Sequence, residues 1–464
     1  MQTECPKNKM AKAFRLSPLV GRVSIRSRDM DPGRRSETPA SPTRQRRKWE
    51  KKMLKTITKT LVGAVFAGGL LVPHAFAETT LNALFMAQAA YSEADVRAMT
   101  DAFTKANPDV KVNLEFVPYE GLHDKTVLAQ GSGGGYDVVL FDVIWPAEYA
   151  TNKVLVDVSS KITDDMKKGV LPGAWTTVQY DGKYYGMPWI LDTKYLFYNK
   201  DILEKAGIKT PPKTWEELGA QAKIIQDKGL LKTPIAWSWS QAEAAICDYT
   251  TLVSAYGGDF LKDGKPDFQN GGGLSALKYM VDSYKSGLTN PNSKEFLEED
   301  VRKVFENGDA AFALNWTYMY NMANDPKDSK VAGKVGVVPA PGVTGISEVS
   351  AVNGSMGLGV TAVSKHPDEA WKYIEYMTSQ ATQNQYAKLS LPIWASSYDD
   401  PAVTKGQEEL IAAAKQGLAA MYPRPTTPKY QELSTALQQA IQESLLGQSS
   451  PEDALNTAAK NSGL

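Results

Sequence analysis

The stretch Asp137-Val138-Val139-Leu140-Phe141 places a run of apolar residues after one acid, and such runs are typical of strands buried on both faces of a sheet. Two further strand patterns precede it, an apolar run at 81–86 and an alternation of polar and apolar residues at 111–116. Apolar residues at helical spacing over 92–107 and a short helical segment at 122–130 separate these strands. This β-α-β-α-β order predicts a parallel sheet with helices on both sides.

The remainder of the chain continues the α/β pattern. A second α/β region follows Asn199, where Thr214-Trp215-Glu216-Glu217 forms a capping box that opens a helix. Further helices are predicted over 274–285, 295–307, 367–379, 430–446 and 451–460. With 464 residues, the chain is long enough to build two hydrophobic cores. We therefore expect an α/β protein with two domains.

The charge of the chain is divided unevenly along its length. Residues 1–77 hold 17 of the 52 Lys and Arg residues but only 5 of the 52 Asp and Glu residues, which leaves 35 basic and 47 acidic residues in the remainder. An acidic body is repelled by phosphate backbones and by anionic lipid surfaces. We expect no nucleic-acid partner and no anionic membrane partner for this part of the chain.

The basic segment ends in the pattern of a secretory signal. Lys55 and Lys59 precede the apolar run LVGAVFAGGLLV at 61–72, which is too short to span a bilayer, and Ala75-Phe76-Ala77 is a small-x-small cleavage pattern. We expect a signal peptide over 53–77, cleaved after Ala77, with residues 1–52 as an over-extended start or a disordered basic tail. Because no Cys follows the cleavage pattern directly, we expect a periplasmic protein without a lipid anchor. A short membrane anchor is the alternative.

The sequence lacks the signatures of common catalytic and metal sites. It has no GxxxxGK[ST] phosphate loop, no GxGxxG after a strand and no GxSxG nucleophile turn. After residue 77, His123 and His366 lie far apart, which gives little support to a histidine-based metal site or a Ser-His triad. Cys247 is alone in that part of the chain, so no disulfide is expected. We expect no enzyme activity, no cofactor and no metal.

Aromatic residues lie near acids and amides at several predicted strand ends. In open α/β sheets, ligands bind beyond the carboxyl ends of the strands. That rule points to Gln88 and Tyr91 after the first strand and to Asp142 and Trp145 after the third. Flat indole faces cover the C–H patches of sugars, while carboxylates and amides bind sugar hydroxyls. For any single tryptophan, packing in a hydrophobic core is the competing interpretation.

Several segments resemble the family-1 extracellular solute-binding proteins, which are the maltose-, trehalose- and multiple-sugar-binding components of ABC importers. The segments are YDVV at 136–139, YYGMPWILD at 184–192, LFYNK at 196–200, PKTWEEL at 212–218, GLGV at 357–360, SKHPDEAW at 364–371, PRP at 423–425 and SPEDAL at 450–455. Their order and spacing cover nearly all of the chain after residue 77.

The resemblance implies a two-lobe periplasmic binding protein fold, with each lobe a mainly parallel sheet flanked by helices. The chain would cross between the lobes three times, near 188–193, near Pro339 and just after a helix at 371–377. The first lobe would comprise 78–190 and 340–377, and the second lobe 191–339 and 378–464. The implied function is a monomer that captures a mono- or small oligosaccharide by lobe closure and delivers it to the membrane permease subunits of an ABC importer.

The resemblance also implies binding positions, each transferred singly. Asp192 matches an acid that accepts sugar hydroxyls, and Trp316 with Tyr318 matches an aromatic platform for a sugar ring. Many relatives carry a Gly-Gly-Trp platform where this chain has Asn353-Gly354-Ser355-Met356, which argues against a long oligosaccharide. The expected substrate-binding residues are Gln88, Tyr91, Asp142, Trp145, Asp192, Trp237, Trp239, Trp316, Tyr318, Gly354, Met356 and Arg424.

Three other functions compete with sugar binding. In the first, the same fold binds a polyol or an anionic sugar derivative, such as glycerol phosphate or a sulfonated sugar. Arg424 or Lys194 in the cleft would favour an anionic ligand. A glycoside-active enzyme would use paired acids, for which Asp142 and Asp192 are candidates, although nothing in the sequence gives their separation. A surface interaction protein without a small ligand predicts no stabilisation by any sugar.

Overall fold

The computed structural model describes residues 78–87 and 90–464. The predicted basic extension, the signal peptide with its cleavage pattern and Gln88 lie outside the described residues. Within the described ranges, no helix is long and apolar enough to cross a lipid bilayer.

The described chain contains both strands and helices, which alternate at its beginning, and it ends in a series of helices. The strands are β1 (Thr79–Met86), β2 (Val110–Val117), β3 (Val138–Asp142), β4 (Gln179–Tyr180), β5 (Lys183–Tyr184), β6 (Met187–Ile190), β7 (Tyr195–Asn199), β8 (Ile235–Ala236), β9 (Leu261–Lys262), β10 (Lys265–Pro266), β11 (Phe312–Asn315), β12 (Val335–Val343), β13 (Ser347–Ser350) and β14 (Met356–Val360). The helices are α1 (Glu93–Ala106), α2 (Tyr119–Gly131), α3 (Pro146–Thr151), α4 (Asp164–Gly169), α5 (Pro172–Trp175), α6 (Lys200–Ala206), α7 (Trp215–Asp227), α8 (Glu243–Ala255), α9 (Gly271–Lys285), α10 (Glu298–Glu306), α11 (Tyr318–Ala323), α12 (Pro367–Thr378), α13 (Gln380–Gln385), α14 (Pro401–Thr404), α15 (Glu408–Ala419), α16 (Tyr430–Leu445) and α17 (Pro451–Asn461).

The first lobe is built on a sheet with the strand order β2-β1-β3-β14-β6. Strand β1 pairs in parallel with both β2 and β3, as the β-α-β-α-β pattern predicts. All five residues of β3 are buried, which confirms the interpretation of the apolar run. Strand β14 runs antiparallel to β3 and to β6, so four of the five strands point the same way.

The second lobe is built on a mixed sheet with the order β13-β12-β7-β11-β8. Strand β7 pairs antiparallel with β11 and with β12, whereas β11 and β8 pair in parallel. The expectation of a mainly parallel sheet therefore holds for the first lobe but not for the second. The chain enters the second sheet at β7, which begins at the edge facing the first lobe and runs away from it. Strands β11 and β12 run in the opposite direction, towards that edge, so both pair antiparallel with β7.

The second crossing between the lobes lies further along the chain than the sequence predicts. Pro339 does not end the strand, because β12 continues to Val343 and pairs with β13 before the chain reaches β14 in the first sheet. Residues 335–339 of β12 pair with β7, and residues from 340 onwards pair with β13. Pro339 pairs only with β7 and Pro341 only with β13, so each proline has a free side for its missing N–H. Residues 340–350 therefore belong to the second sheet.

Three hydrophobic cores flank the two sheets. One surrounds the first sheet and includes residues of β1, β3, β6, β14 and α12. The other two lie on opposite faces of the second sheet, because Leu196 of β7 packs into one and its neighbours Tyr195 and Phe197 pack into the other. The chain passes from the first core to the second sheet between Ile190 and Tyr195, and returns between Ser350 and Met356.

Candidate functional site

A cavity of about 340 Å³ lies between the two sheets. Its first-lobe wall comes from residues that follow β1, β2 and β3, where the carboxyl ends of parallel strands meet. Its second-lobe wall comes from the beginnings of α8 and α10 and from residues after β11. The lining residues are Met86, Ala87, Ala90, Pro118, Tyr119, Glu120, Asp142, Ile190, Asp192, Glu243, Ala244, Cys247, Leu297, Glu298, Glu299, Asp300, Lys303, Trp316, Tyr318, Gly354, Met356 and Arg424.

The cavity brings together residues from distant parts of the sequence. The predicted binding residues among its lining are Asp142, Asp192, Trp316, Tyr318, Gly354, Met356 and Arg424. They come from the end of β3, the two crossings, the end of β11 and the segment between α15 and α16. The sheet topology therefore gathers these seven predicted residues at one place.

Two predicted residues of the first lobe lie beside the cavity wall rather than in it. Tyr91 is 2% exposed, and its ring packs against Trp189 with 4.7 Å between the ring centroids. Trp145 is also buried, and it stacks on the cavity residue Tyr119 with 5.8 Å between the centroids. Trp145 supports a lining residue from behind, whereas Tyr91 packs on Trp189, which does not line the cavity. The strand-end rule therefore found the right loops but not the side chains that face the cavity.

The prediction that Trp237 and Trp239 form the second-lobe wall is corrected by the structure. Both are fully buried, and their rings stack on each other with 5.0 Å between the centroids and 9° between the planes. Trp237 also contacts Trp215 of α7 and Tyr279 of α9, so helices cover the segment that follows β8. For these two residues, core packing is the correct interpretation.

Arg424 joins the two lobes across the cavity. Its guanidinium donates to the Asp142 carboxylate at 2.6 Å and to the Glu243 carboxylate at 2.7 Å. Its Nε also donates to the backbone carbonyl of Asn353 at 3.2 Å, and its side chain is 1% exposed. Tyr119 donates to Asp142 at 2.8 Å. One cation thus pairs with a carboxylate from each lobe in a buried site, where such pairs are strong.

Glu243 was not found from the sequence, although it is the centre of the second-lobe network. It accepts hydrogen bonds from Tyr430 and Ser434 of α16, both at 2.5 Å, in addition to the ion pair with Arg424. Burial raises the pKa of Glu243 above its ordinary value, and the Arg424 charge offsets part of that rise. An acid at the first position of a helix is already explained by the helix dipole, so nothing in the sequence indicates that Glu243 also pairs with Arg424.

Asp192 links the first crossing to the end of β11. Its carboxylate accepts the Thr317 hydroxyl at 2.6 Å and the Thr193 backbone N–H at 2.9 Å. Its own backbone carbonyl accepts the Gly354 N–H of the second crossing at 3.1 Å. Burial raises the pKa of Asp192 to about 7, although the hydrogen bonds from Thr317 and Thr193 act in the opposite direction. Asp192 therefore holds the hinge segments together as well as lining the cavity.

Trp316 presents a half-buried indole ring to the cavity. Its Nε1 donates to the Glu298 carboxylate at 3.2 Å, which fixes one edge of the ring. Gly354 lies against another edge, because a Cβ at this position would be 2.3 Å from two ring carbons. A tryptophan held in this way at a cavity wall is a flat surface suited to the C–H face of a sugar ring.

Acids outnumber bases around the cavity. The lining includes Glu120, Glu298, Glu299 and Asp300 besides the residues already described, whereas its basic residues are Lys303 and Arg424. Glu298, Glu299 and Asp300 form the first turn of α10, where acids are expected for the helix dipole. Their position beside the cavity could not be inferred from that turn, because it depends on how α10 packs against β11.

The model of the bacterial extracellular solute-binding protein family matches residues 89–384, which include most of both sheets and the cavity residues from Ala90 to Met356. The chain belongs to this family. The fold observed here, two sheets with a cavity between them, agrees with the expectation drawn from the family resemblance. The match confirms the prediction of an exported solute-binding protein. The members of this family are binding proteins rather than enzymes.

Individual relatives agree with the family match. A probable ABC transporter-binding protein of Deinococcus radiodurans is 30% identical over 374 residues, which cover 77% of this chain and 87% of the relative. The maltose-bound structure of Thermotoga maritima MalE3 has a TM-score of 0.77 and 29% identity, covering 83% of this chain and 99% of its own. An ABC transporter solute-binding protein of Thermotoga lettingae bound to α-D-tagatose has a TM-score of 0.74 and 26% identity, covering 83% of this chain and 98% of its own.

Proposed function

We propose that this solute-binding protein captures a neutral monosaccharide, a small oligosaccharide or a polyol in the cavity between its lobes and delivers it to the permease of an ABC importer. The observation that carries the proposal is the pairing of the Trp316 ring with carboxylates from both lobes around one cavity. The ring would cover the apolar face of the ligand, while carboxylates accept its hydroxyl hydrogens. The proteins bound to maltose and to tagatose support a ligand of this class.

Binding would proceed by closure of the lobes. The cavity walls belong to different sheets, so a ligand that contacts both walls favours the closed arrangement by its differential affinity for it. Bending at the three crossings accommodates the motion, with Asp192 and Gly354 in the first two. Closure removes water from the carboxylates and the indole, which strengthens their hydrogen bonds to the ligand. The permease would then recognise the closed form.

An anionic ligand is the weaker candidate. Arg424 already pairs with Asp142 and Glu243, and Lys194 is fully buried beside Asp248. Neither cation is free to bind a phosphate or a sulfonate without losing these partners. Lys303 is the other base of the lining, and the acids Glu120, Glu298, Glu299 and Asp300 outnumber it there. The paired acids proposed for a glycoside-active enzyme are also engaged, Asp142 with Arg424 and Asp192 with Thr317.

We further propose that the mature protein begins at Glu78, is free in the periplasm without a lipid anchor, and acts as a monomer. The small-x-small pattern before Glu78 and the lack of a Cys directly after it support the first two points. The intact mass of the protein recovered from a bacterial periplasm tests the cleavage position. Light scattering during gel filtration, with and without ligand, tests the monomer.

A thermal-shift panel on residues 78–464 tests the ligand class. Maltose, maltotriose, D-tagatose, ribitol and D-mannitol form the neutral arm, and glycerol 3-phosphate with a sulfonated hexose forms the anionic arm. A ligand at a hundred times its Kd adds about 2.7 kcal/mol to the free energy of unfolding, which gives a clear rise in Tm. We expect at least one neutral compound to produce that rise and the anionic compounds to produce none. A panel without any stabilising sugar or polyol would sink the proposal.

A further inference from the structure

Lys194 is a buried cation at the first crossing. Its side chain is 0% exposed, and its ammonium lies 2.5 Å from the Asp248 carboxylate and 2.9 Å from the Ser238 hydroxyl. The Glu298 carboxylate is 3.6 Å away. Burial by itself would lower the pKa of Lys194, but the charges of Asp248 and Glu298 outweigh it and the pKa is raised. The ammonium is therefore charged at neutral pH.

The same ammonium lies over the indole ring of Trp316, 5.0 Å from its centroid. Trp316 lines the cavity, whereas Lys194 is absent from the lining and fully buried. Lys194 therefore contacts a ring that lines the cavity without lining the cavity itself. Cation–π attraction to a desolvated ammonium fixes the tilt of such a ring.

Two further contacts restrict the ring in its own plane. Glu298 accepts the indole N–H and also approaches Lys194, so one carboxylate joins the ring to the cation beneath it. Gly354 closes off another edge. The ring is thereby held by Lys194 of the first crossing, Gly354 of the second crossing and the first turn of α10.

We propose that Lys194 is a positioning residue for sugar binding, which holds the Trp316 platform at the angle that a ligand requires. The inference rests on the proposed function, because it specifies how the same site works. A positioning residue differs from a binding residue in that it does not contact the ligand. Lys194 would affect the ligand only through the Trp316 ring. Asp248 acts one step earlier, because it does not line the cavity and reaches the ring only through Lys194.

A purely structural ion pair would behave differently. A buried pair such as Lys194 and Asp248 stabilises the fold to the same extent whether or not Trp316 is present. A positioning pair loses its influence on binding once the ring is removed. The non-additivity of substitutions at Asp248 and Trp316 therefore separates the two roles.

The experiment is a double-mutant cycle measured by titration calorimetry. The probe is whichever of maltose, D-tagatose and ribitol stabilises the wild-type chain most. We expect Asp248→Asn to raise the Kd about fivefold, and the double variant Lys194→Met/Asp248→Asn to raise it by about tenfold or more. In a Trp316→Ala background, both changes should alter the Kd by less than about twofold. Asp248→Asn keeps the shape of the side chain, so the test stands even where the double variant does not fold.

The matched control is Asp137→Asn. Asp137 is a buried acid of the first lobe that accepts from the Asn82 backbone N–H and the Ser364 hydroxyl, and it does not line the cavity. Its substitution should lower Tm and leave the Kd unchanged. Equal losses of affinity with and without Trp316 overturn the positioning role while leaving sugar binding intact. A wild-type chain that binds no sugar or polyol overturns the proposed function, and this inference with it.

Discussion

Arg424 and Asp142 form a buried ion pair of 2.6 Å between residues that are 282 positions apart in the sequence. Asp142 ends β3 of the first lobe, and the same guanidinium reaches Glu243 on α8 of the second. Without Arg424, two buried carboxylates would face each other across the cavity. The ion pair is thus an electrostatic bridge between the lobes as well as part of the cavity wall.

Replacing Arg424 by Met should open the lobes and destabilise the fold. The change leaves Asp142 and Glu243 without their counter-ion, and removing one partner of a buried pair lowers the free energy of unfolding by about 3 kcal/mol or more. We expect a larger radius of gyration for the ligand-free variant in solution scattering, and weaker binding of any sugar that binds the wild type.

Arg302→Met is the matched control for that prediction. Arg302 is also largely buried between two carboxylates, Glu299 and Glu306, but all three residues lie within α10. Its substitution should lower the stability of the second lobe without changing the radius of gyration. An unchanged radius in the Arg424 variant as well would mean that the bridge does not set the distance between the lobes.

The fold was largely readable from local patterns. Thr214 caps α7 as predicted, because its hydroxyl accepts the Glu217 backbone N–H. The apolar run of β3 showed burial on both faces, because only such a strand can be apolar throughout. The path of β12 past Pro339 was not readable, since it depends on which neighbours pair with that strand at each level.

The site was only partly readable for a related reason. Asp192, Trp316 and Arg424 were selected by the family pattern, and the topology brings them to one cavity. Trp237 and Trp239 carry the same local signal as Trp316, namely a tryptophan after a strand, but helices α7 and α9 cover them. Glu243 and Lys194 gain their roles from partners in other elements, so no local pattern marks them.

Trp316→Ala should weaken sugar binding without a comparable loss of stability. The ring is half-buried and faces the cavity, so its removal takes away the aromatic surface for the ligand. We expect the Kd to rise at least about tenfold, which corresponds to about 1.4 kcal/mol. Trp239→Ala is the comparison, because this residue is fully buried and does not line the cavity. That variant should lose about 3–5 kcal/mol of stability, and at a temperature where it is folded its Kd should match the wild type.

Gly354→Ala should displace the Trp316 ring. The added Cβ would lie 2.3 Å from two ring carbons, so the ring must move, and its open side is the cavity. We expect about a tenfold rise in the Kd for the sugar by calorimetry. Gly219→Ala is the matched control, since the same methyl group in α7 meets nothing within 4 Å. It should leave the Kd unchanged and raise the stability by up to about 1 kcal/mol. Wild-type affinity in the Gly354 variant would show that the ring tolerates a second position.

The stability of the protein should depend on pH through Asp192. Its pKa is raised to about 7, first because the carboxyl group is buried, so the neutral acid is favoured in the folded state. The unfolded chain has the ordinary, lower pKa, and the contribution of Asp192 to stability is therefore full below about pH 4 and is lost as the pH rises through 7. Asp192→Asn keeps an acceptor for Thr317 and Thr193 but cannot ionise.

Comparing the wild type with the Asp192→Asn variant separates the effect of the Asp192 carboxyl group from that of the other titrating groups. Relative to the Asp192→Asn variant, the wild type should lose a few kcal/mol in free energy of unfolding between pH 5 and pH 8, measured by urea denaturation at each pH. Lys194, Tyr195 and Tyr398, which also bear on the Asp192 charge, are common to both chains and largely cancel. Parallel curves across that range would mean that Asp192 stays ionised in the folded protein, and that the hydrogen bonds from Thr317 outweigh its burial.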